Sequence, residues 1–197
     1  MKKIVVATKN QGKVKEILHA FQDLPVELVS LADFGEMPDA VEDGQTFEEN
    51  AQIKAAFYQQ QTGCACLADD SGLEVSVLGN APGVYSARFA GEHADDAANN
   101  AKLVTELERV GVEESSAAYR CVLAFIDTDG TRLLASGSCP GAVRKAPRGK
   151  GGFGYDPYFY LDAAHTMAEL SLDEKEKISH RGAALRLMAK KLEAYLG

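Results

Sequence analysis

Residues 117–139 read "AAYRCVLAFI", then "DTDG", then "TRLLASGSC": two apolar runs rich in strand-forming residues, joined by four turn-forming ones. Such a pattern closes as an antiparallel hairpin. D-x-D-G also begins calcium loops, but the downstream ligands are missing, so a hairpin turn accounts for it. The chain opens differently. "KKIVVAT" is a buried strand, "NQG" breaks it, and from Gly12 onward Val14, Ile17, Leu18 and Phe21 fall on one helical face. A strand–turn–helix opening calls for crossover connections, whereas a hairpin calls for antiparallel pairing. Both in one chain require an α/β fold with a mixed sheet.

The remaining elements follow from local signals. "VELVSL" is a short strand, and Thr46 with Glu49 forms a T-x-x-E capping box for a helix ending near Gly63. "CACLA" and "LEVSVL" are expected as two strands around an acidic turn. A helix is expected from about Asp95 to Val110, with Leu103, Val104 and Leu107 inward. "YFYL" is expected as a strand after a glycine-rich loop, and a helical stretch closes the chain with Leu185, Met188, Leu192 and Leu196 on one stripe. No repeat or linker interrupts the order, so residues 1–197 are read as one domain, which can have two lobes at this length.

Composition excludes several classes of function. A formal net charge of −8 repels polyanions, so nucleic acid is not an expected partner and any phosphate chemistry must be local. The four cysteines form neither C-x-x-C pairs nor a disulfide framework, and are read as small buried hydrophobes of a reduced compartment. The first residues carry too short an apolar run for a signal peptide, and no run reaches membrane-spanning length. A cytoplasmic protein with no membrane partner is expected.

Four polar stretches can carry chemistry. In "TKNQGK", Thr8, Lys9, Asn10, Gln11, Gly12 and Lys13 lie between strand and helix, where backbone amides bind anions. Lys13 sits where the helix dipole disfavours a cation; a bound anion, Glu16 nearby or solvent would each offset that. In "LADDSGLEV", Asp69, Asp70 and Ser71 offer the oxygen ligands that suit Mg²⁺, or form an ordinary solvated turn. In a flat strand the two aspartates point to opposite faces, so they share a site only if the chain bends at Gly72. "VEDG" adds Glu42, and Lys54 lies inside the capped helix. "GGFGYDP" brings Phe153, Gly154, Tyr155 and Asp156 on a pliable backbone with aromatic faces for a base, or is a hairpin with aromatic plugs. In "EKEKISHRG", Lys175, Lys177, His180 and Arg181 crowd a helix start.

The motifs "TKNQGK", "EDGQTFEENA", "LADDSGLEV", "APGVYSAR", "GGFGYDP" and "SHRG" come in the order and spacing of the inosine triphosphate pyrophosphatase family, which the chain resembles over essentially its whole length. The resemblance implies an elongated mixed β-sheet flanked by helices, with two lobes around a central cleft. It implies a homodimer that hydrolyses ITP, dITP and XTP to the monophosphate and pyrophosphate with Mg²⁺. By position, Asp70 is the metal ligand and general base, with Lys13 acting on the phosphates. Thr8 to Lys13, Lys54, Ser71, Phe153 to Asp156, Lys175, His180 and Arg181 hold the nucleotide, and Glu42 or Asp69 completes the metal site. Val41 stands where a second acid is expected, and Cys139 where some relatives carry tryptophan. The alternatives are a Maf-like pyrophosphatase acting on other modified nucleotides and a nucleotide-binding module without turnover.

Overall fold

The hairpin that frames the sequence is present, and it forms part of a six-stranded mixed sheet. The structure, a computed structural model, describes all residues from Met1 to Gly197. In chain order the strands are β1 (Lys2–Val6), β2 (Val26–Ser30), β3 (Ala65–Val75), β4 (Glu114–Ile126), β5 (Arg132–Arg144) and β6 (Phe159–Tyr160). The helices are α1 (Gln11–Ala20), α2 (Phe47–Thr62), α3 (Asp96–Val110), α4 (Leu172–Ile178) and α5 (His180–Leu196). The sheet order is β2-β1-β3-β4-β5-β6; β1 runs parallel to β2 and to β3, and β6 runs antiparallel to β5. Crossovers through α1 and α2 explain the parallel part, since parallel neighbours cannot be joined by a tight turn.

Two expectations are corrected. The acidic stretch is not a turn between two strands: β3 runs without a break from Ala65 to Val75, through both aspartates and past Gly72. Asp, Ser and Gly favour turns locally, but here burial and ion pairing override that propensity. The "YFYL" strand is only Phe159–Tyr160, because the residues before it, Asp156–Tyr158, form a 3₁₀ turn.

The chain divides into two compact units. The first comprises residues 1–70, 121–137 and 181–197. Its central strands β1 and β3 are buried on both faces, and the pleat sorts the side chains. Ile4, Val6, Ala65 and Leu67 join Val14 and Ile17 of α1, Phe21 at its C-terminal cap, and Leu185, Met188 and Leu192 of α5. Their neighbours Val5, Ala7, Cys66 and Ala68 pack instead with Ala51, Ala55 and Tyr58 of α2. The second unit comprises residues 71–120 and 138–180. Its core gathers Leu73 and Val75 of β3, Leu103 and Leu107 of α3, and Tyr119, Val143, Phe159 and Met167. The cysteines are free; Cys66, Cys121 and Cys139 are buried. No helix is long and apolar enough to cross a membrane.

Candidate functional site

In the first unit, the pleat of β3 decides what each aspartate does. Asp69 follows Ala65 and Leu67 onto the face covered by α1 and α5, where it is fully buried. Its Oδ1 lies 2.5 Å from Lys13 Nζ of α1, and its Oδ2 accepts from Arg181 Nε of α5 at 2.8 Å and from the Cys121 thiol at 3.1 Å. Arg181, itself buried, also donates through Nη1 to Glu16 of α1. Burial alone would raise the Asp69 carboxyl, but Arg181 and Lys13 more than offset it and hold the group well below the usual carboxylate range. Asp69 is thus an ionised strut, and it supplies the offset for Lys13 that the helix start requires.

Asp70 takes the other face. It follows Cys66 and Ala68 toward α2, where its Oδ1 lies 3.9 Å from Lys54 Nζ. Lys54 is fixed by the Asp69 carbonyl at 3.0 Å and by Glu42 Oε2 at 2.8 Å. Glu42 is positioned by the turn that follows it. The Gly44 N–H donates to buried Asn50 Oδ1 at 2.8 Å, and a Cβ at Gly44 would lie 2.7 Å from that oxygen. Asp70 is buried, yet its Oδ2 has no hydrogen-bond partner. Burial is the main force that pushes its pKa up to about 6; Lys54 and Lys13 pull it down, and Glu42 and Asp69 push it up further. An unpartnered carboxylate oxygen in such a place is costly for the fold alone and marks a position for chemistry.

The turn before α1 is held by its own caps. Asn10 caps the helix, its Oδ1 accepting the Lys13 N–H at 3.1 Å, and Thr8 Oγ1 accepts the Asn10 N–H at 3.2 Å. Gln11 and Gly12 head the helix with amides not used in these caps. Lys9 turns elsewhere, to the Met37 carbonyl at 2.9 Å and Asp39 at 2.7 Å.

In the second unit, Asp156 is the hub. It is buried, and its Oδ2 accepts from Lys175 Nζ at 2.7 Å and from the Phe153 N–H at 3.0 Å, while Oδ1 accepts from Tyr119 OH at 3.1 Å. Lys175 sits 4.5 Å from the Phe153 ring centroid. Tyr119 stacks on the His180 ring at 4.5 Å with the planes 13° apart. Tyr155 donates its hydroxyl to the Ser86 carbonyl at 2.6 Å, so its ring belongs to the core and not to a ligand face. Gly152 takes φ +69°, and a Cβ there would lie 2.1 Å from Asp156 Oδ2. The loop therefore closes on Asp156 only with glycine at that place. Ser71 is half-buried in β3.

Of the expected site residues, the first unit groups Lys13, Lys54, Glu42, Asp70, Asp69 and Arg181, and the second groups Phe153, Asp156, Lys175 and His180. Sequence reasoning missed Asn50, Tyr119, Asp96 and Asn100. The buried asparagines could have been flagged, because asparagine in a helix interior is a poor helix former and stays when its amide has work to do.

Nowhere do three His, Cys, Asp or Glu side chains converge into a protein-only metal cage. Mg²⁺ does not need one: it binds through one or two carboxylates together with waters and substrate phosphates. The unpartnered Asp70 Oδ2, with Glu42 beyond Lys54, fits that demand. Asp69 does not, since a cation there would have to displace Lys13 and Arg181.

A sequence model of the Ham1 family matches residues 4–191. The dITP/XTP pyrophosphatase of Geobacter sulfurreducens is 52% identical over 189 residues, 95% of this chain and 95% of that protein. The dITP/XTP pyrophosphatase of Bacillus licheniformis is 50% identical over 197 residues, 100% of this chain and 98% of that protein. A solved HAM1 protein from Coxiella burnetii matches the fold with a TM-score of 0.88 at 41% identity, covering 98% of this chain and 100% of its own. The Staphylococcus aureus Ham1 protein matches with a TM-score of 0.84 at 37% identity, with 98% and 100% covered.

Proposed function

This chain belongs to the Ham1 family, and we propose that it hydrolyses non-standard purine nucleoside triphosphates, ITP, dITP and XTP, to the monophosphate and pyrophosphate. The observation that carries the proposal is Asp70: a buried carboxylate with one unpartnered oxygen, near lysines on two helices. A module that only binds nucleotide gains little from clustered carboxylates beside phosphates, and a Mg²⁺-dependent product assay separates it from an enzyme.

Each residue then has a role. Asp70, assisted by Glu42, would hold Mg²⁺. When bound, that ion neutralises triphosphate charge and makes water a better nucleophile. The unpartnered Asp70 Oδ2 is the oxygen placed to accept the proton of the attacking water. Lys13 and the amides that head α1 stabilise the charge that grows on departing pyrophosphate. Lys54 keeps Glu42 and Asp70 in place and is itself available to a phosphate oxygen.

In the second unit, the Phe153 ring offers a stacking surface, and Lys175 and His180 are donors suited to the 6-oxo group that hypoxanthine and xanthine share. Adenine presents an amino group there, so those donors would stay unpaired against ATP. Arg181 contributes by anchoring Asp69 and Glu16 rather than by offering its Nε and Nη1 to a base. The same reading includes a homodimer and a cytoplasmic location, for which gel filtration and fractionation are the checks.

The deciding assay is chromatography of ITP, XTP, GTP and ATP after incubation with and without Mg²⁺. The expected products from ITP are IMP and pyrophosphate, only with Mg²⁺, with ATP slower by at least about 100-fold. Release of orthophosphate, or equal turnover of ATP, would overturn the assignment.

A further inference from the structure

The start of α3 makes contacts that its own stability does not require. Asp95 caps the helix, its Oδ1 accepting the Ala98 N–H at 2.8 Å. The next acid, Asp96, is therefore not needed as a cap. Its Oδ2 instead accepts the N–H of Gly154 at 2.7 Å, across 58 residues of chain. One turn further on, Asn100 Nδ2 donates to the carbonyl of the same Gly154 at 2.9 Å. Gly154 has φ +61°, and its N–H and its carbonyl are both held by side chains four apart on one helical face.

These bonds fix what glycine would otherwise leave loose. Gly154 lies between Phe153 and Tyr155; the Phe153 N–H is bound by Asp156 and the Tyr155 hydroxyl by Ser86. With Gly154 clamped on one side and the Phe153 N–H held by Asp156, the backbone that carries the Phe153 ring is fixed on both sides, and the ring lies 4.5 Å from Lys175 Nζ. The arrangement carries a cost, because Asn100 is buried and its Oδ1 has no hydrogen-bond partner. The neighbouring Asn99 serves another loop, donating to the Ala87 carbonyl and accepting from the Ala90 N–H. The Gly154 clamp is thus specific to Asp96 and Asn100.

We infer that Asp96 and Asn100 are positioning residues for purine selection, holding Gly154 so that Phe153 and Lys175 meet the base in a fixed pose. This rests on the proposed activity and adds residues that touch no substrate. The test uses the full chain with Mg²⁺ and compares Asp96→Ala, Asn100→Ala and Asp96→Asn with the parent, for ITP and ATP. Loss of one clamp bond is expected to raise KM for ITP about tenfold with kcat within about threefold, and to narrow the ITP-to-ATP preference in kcat/KM. Asp96→Asn keeps an acceptor oxygen and is expected to restore most of the preference.

A fall in kcat with KM and preference unchanged would overturn the inference, as would Asp96→Asn behaving like Asp96→Ala. If Asn100→Ala does not fold, the two Asp96 variants decide the matter alone. Absence of pyrophosphate release from ITP by the parent protein would instead overturn the activity itself, so the two failures are distinguishable.

Discussion

Asp70→Asn is expected to lower ITP turnover on the order of 10³-fold or more while making the folded chain more stable. The two effects share a cause. Asp70 is buried with an unpartnered Oδ2, and its pKa of about 6 lies above the ordinary carboxylate value of 3.8. A raised acid is one whose ionised form the fold disfavours. At neutral pH the charge is present and destabilises; as pH falls through about 6 toward 4 the folded chain takes up the proton before the unfolded chain does, and the cost is relieved. Removing the charge by amide substitution should recover about 1–3 kcal/mol at pH 7, or roughly 2–4 °C in Tm for each kcal/mol in a domain of this size. Thermal melts at pH 7 and pH 5 check it: the gain over the parent should shrink at the lower pH. Near-normal turnover in the variant would remove Asp70 from the chemistry, and a lower Tm would mean that its charge is well solvated or paired.

Asp69→Ala should do the opposite to stability. Arg181 is buried and divides its guanidinium between Asp69 and Glu16, and Lys13 leans on the same carboxylate. Taking away one partner of a buried pair leaves an uncompensated charge and costs about 3–5 kcal/mol, a large share of the 5–15 kcal/mol that holds a typical domain. The expected result is a Tm lower by roughly 6–20 °C, or failure to fold at 37 °C. Because the folded pKa of Asp69 lies well below the usual range, the pairing persists at pH 5 and the deficit should be as large there as at pH 7. A double variant, Asp69→Ala with Arg181→Met, removes both charges and should recover part of the loss. If Asp69→Ala melts within about 2 °C of the parent, the buried network is not what anchors α1 and α5 to the sheet. Two adjacent aspartates in one strand are thus expected to give stability changes of opposite sign.

The sequence disclosed the elements whose signals are local. Thr46 and Glu49 located the start of α2, the hydrophobic stripe located α1, and "DTDG" located the hairpin, because caps, periodicity and turn chemistry act over a few residues. It misread "LADDSGLEV" as a turn because what keeps that stretch extended comes from far away. Lys13, Cys121 and Arg181 surround Asp69, and Arg181 lies 112 residues along the chain. The rule that adjacent strand residues face opposite ways was in hand and sufficed to separate the two aspartates; only the assumption of a bend obscured it. The motif order identified the candidate residues, but not their division of labour. That Asp156 is a hub, that Tyr155 is core, and that Arg181 anchors carboxylates all depend on partners that no spacing encodes.

The pleat of β3 also guards against misfolding. β3 pairs with β1 in the register Ile4 to Ala65, Val5 to Cys66 and Val6 to Leu67. A slip of one residue would present every side chain of the strand to the wrong helices. Ala65 and Leu67 would then leave the core under α1 and α5 for the face of α2, the smaller Cys66 and Ala68 would take their places, and Asp69 and Asp70 would exchange faces. The packing penalty makes the shifted pairing a poor competitor, so a chain that has settled into its lowest state has, by the same step, sent Asp69 and Asp70 each to its own partners.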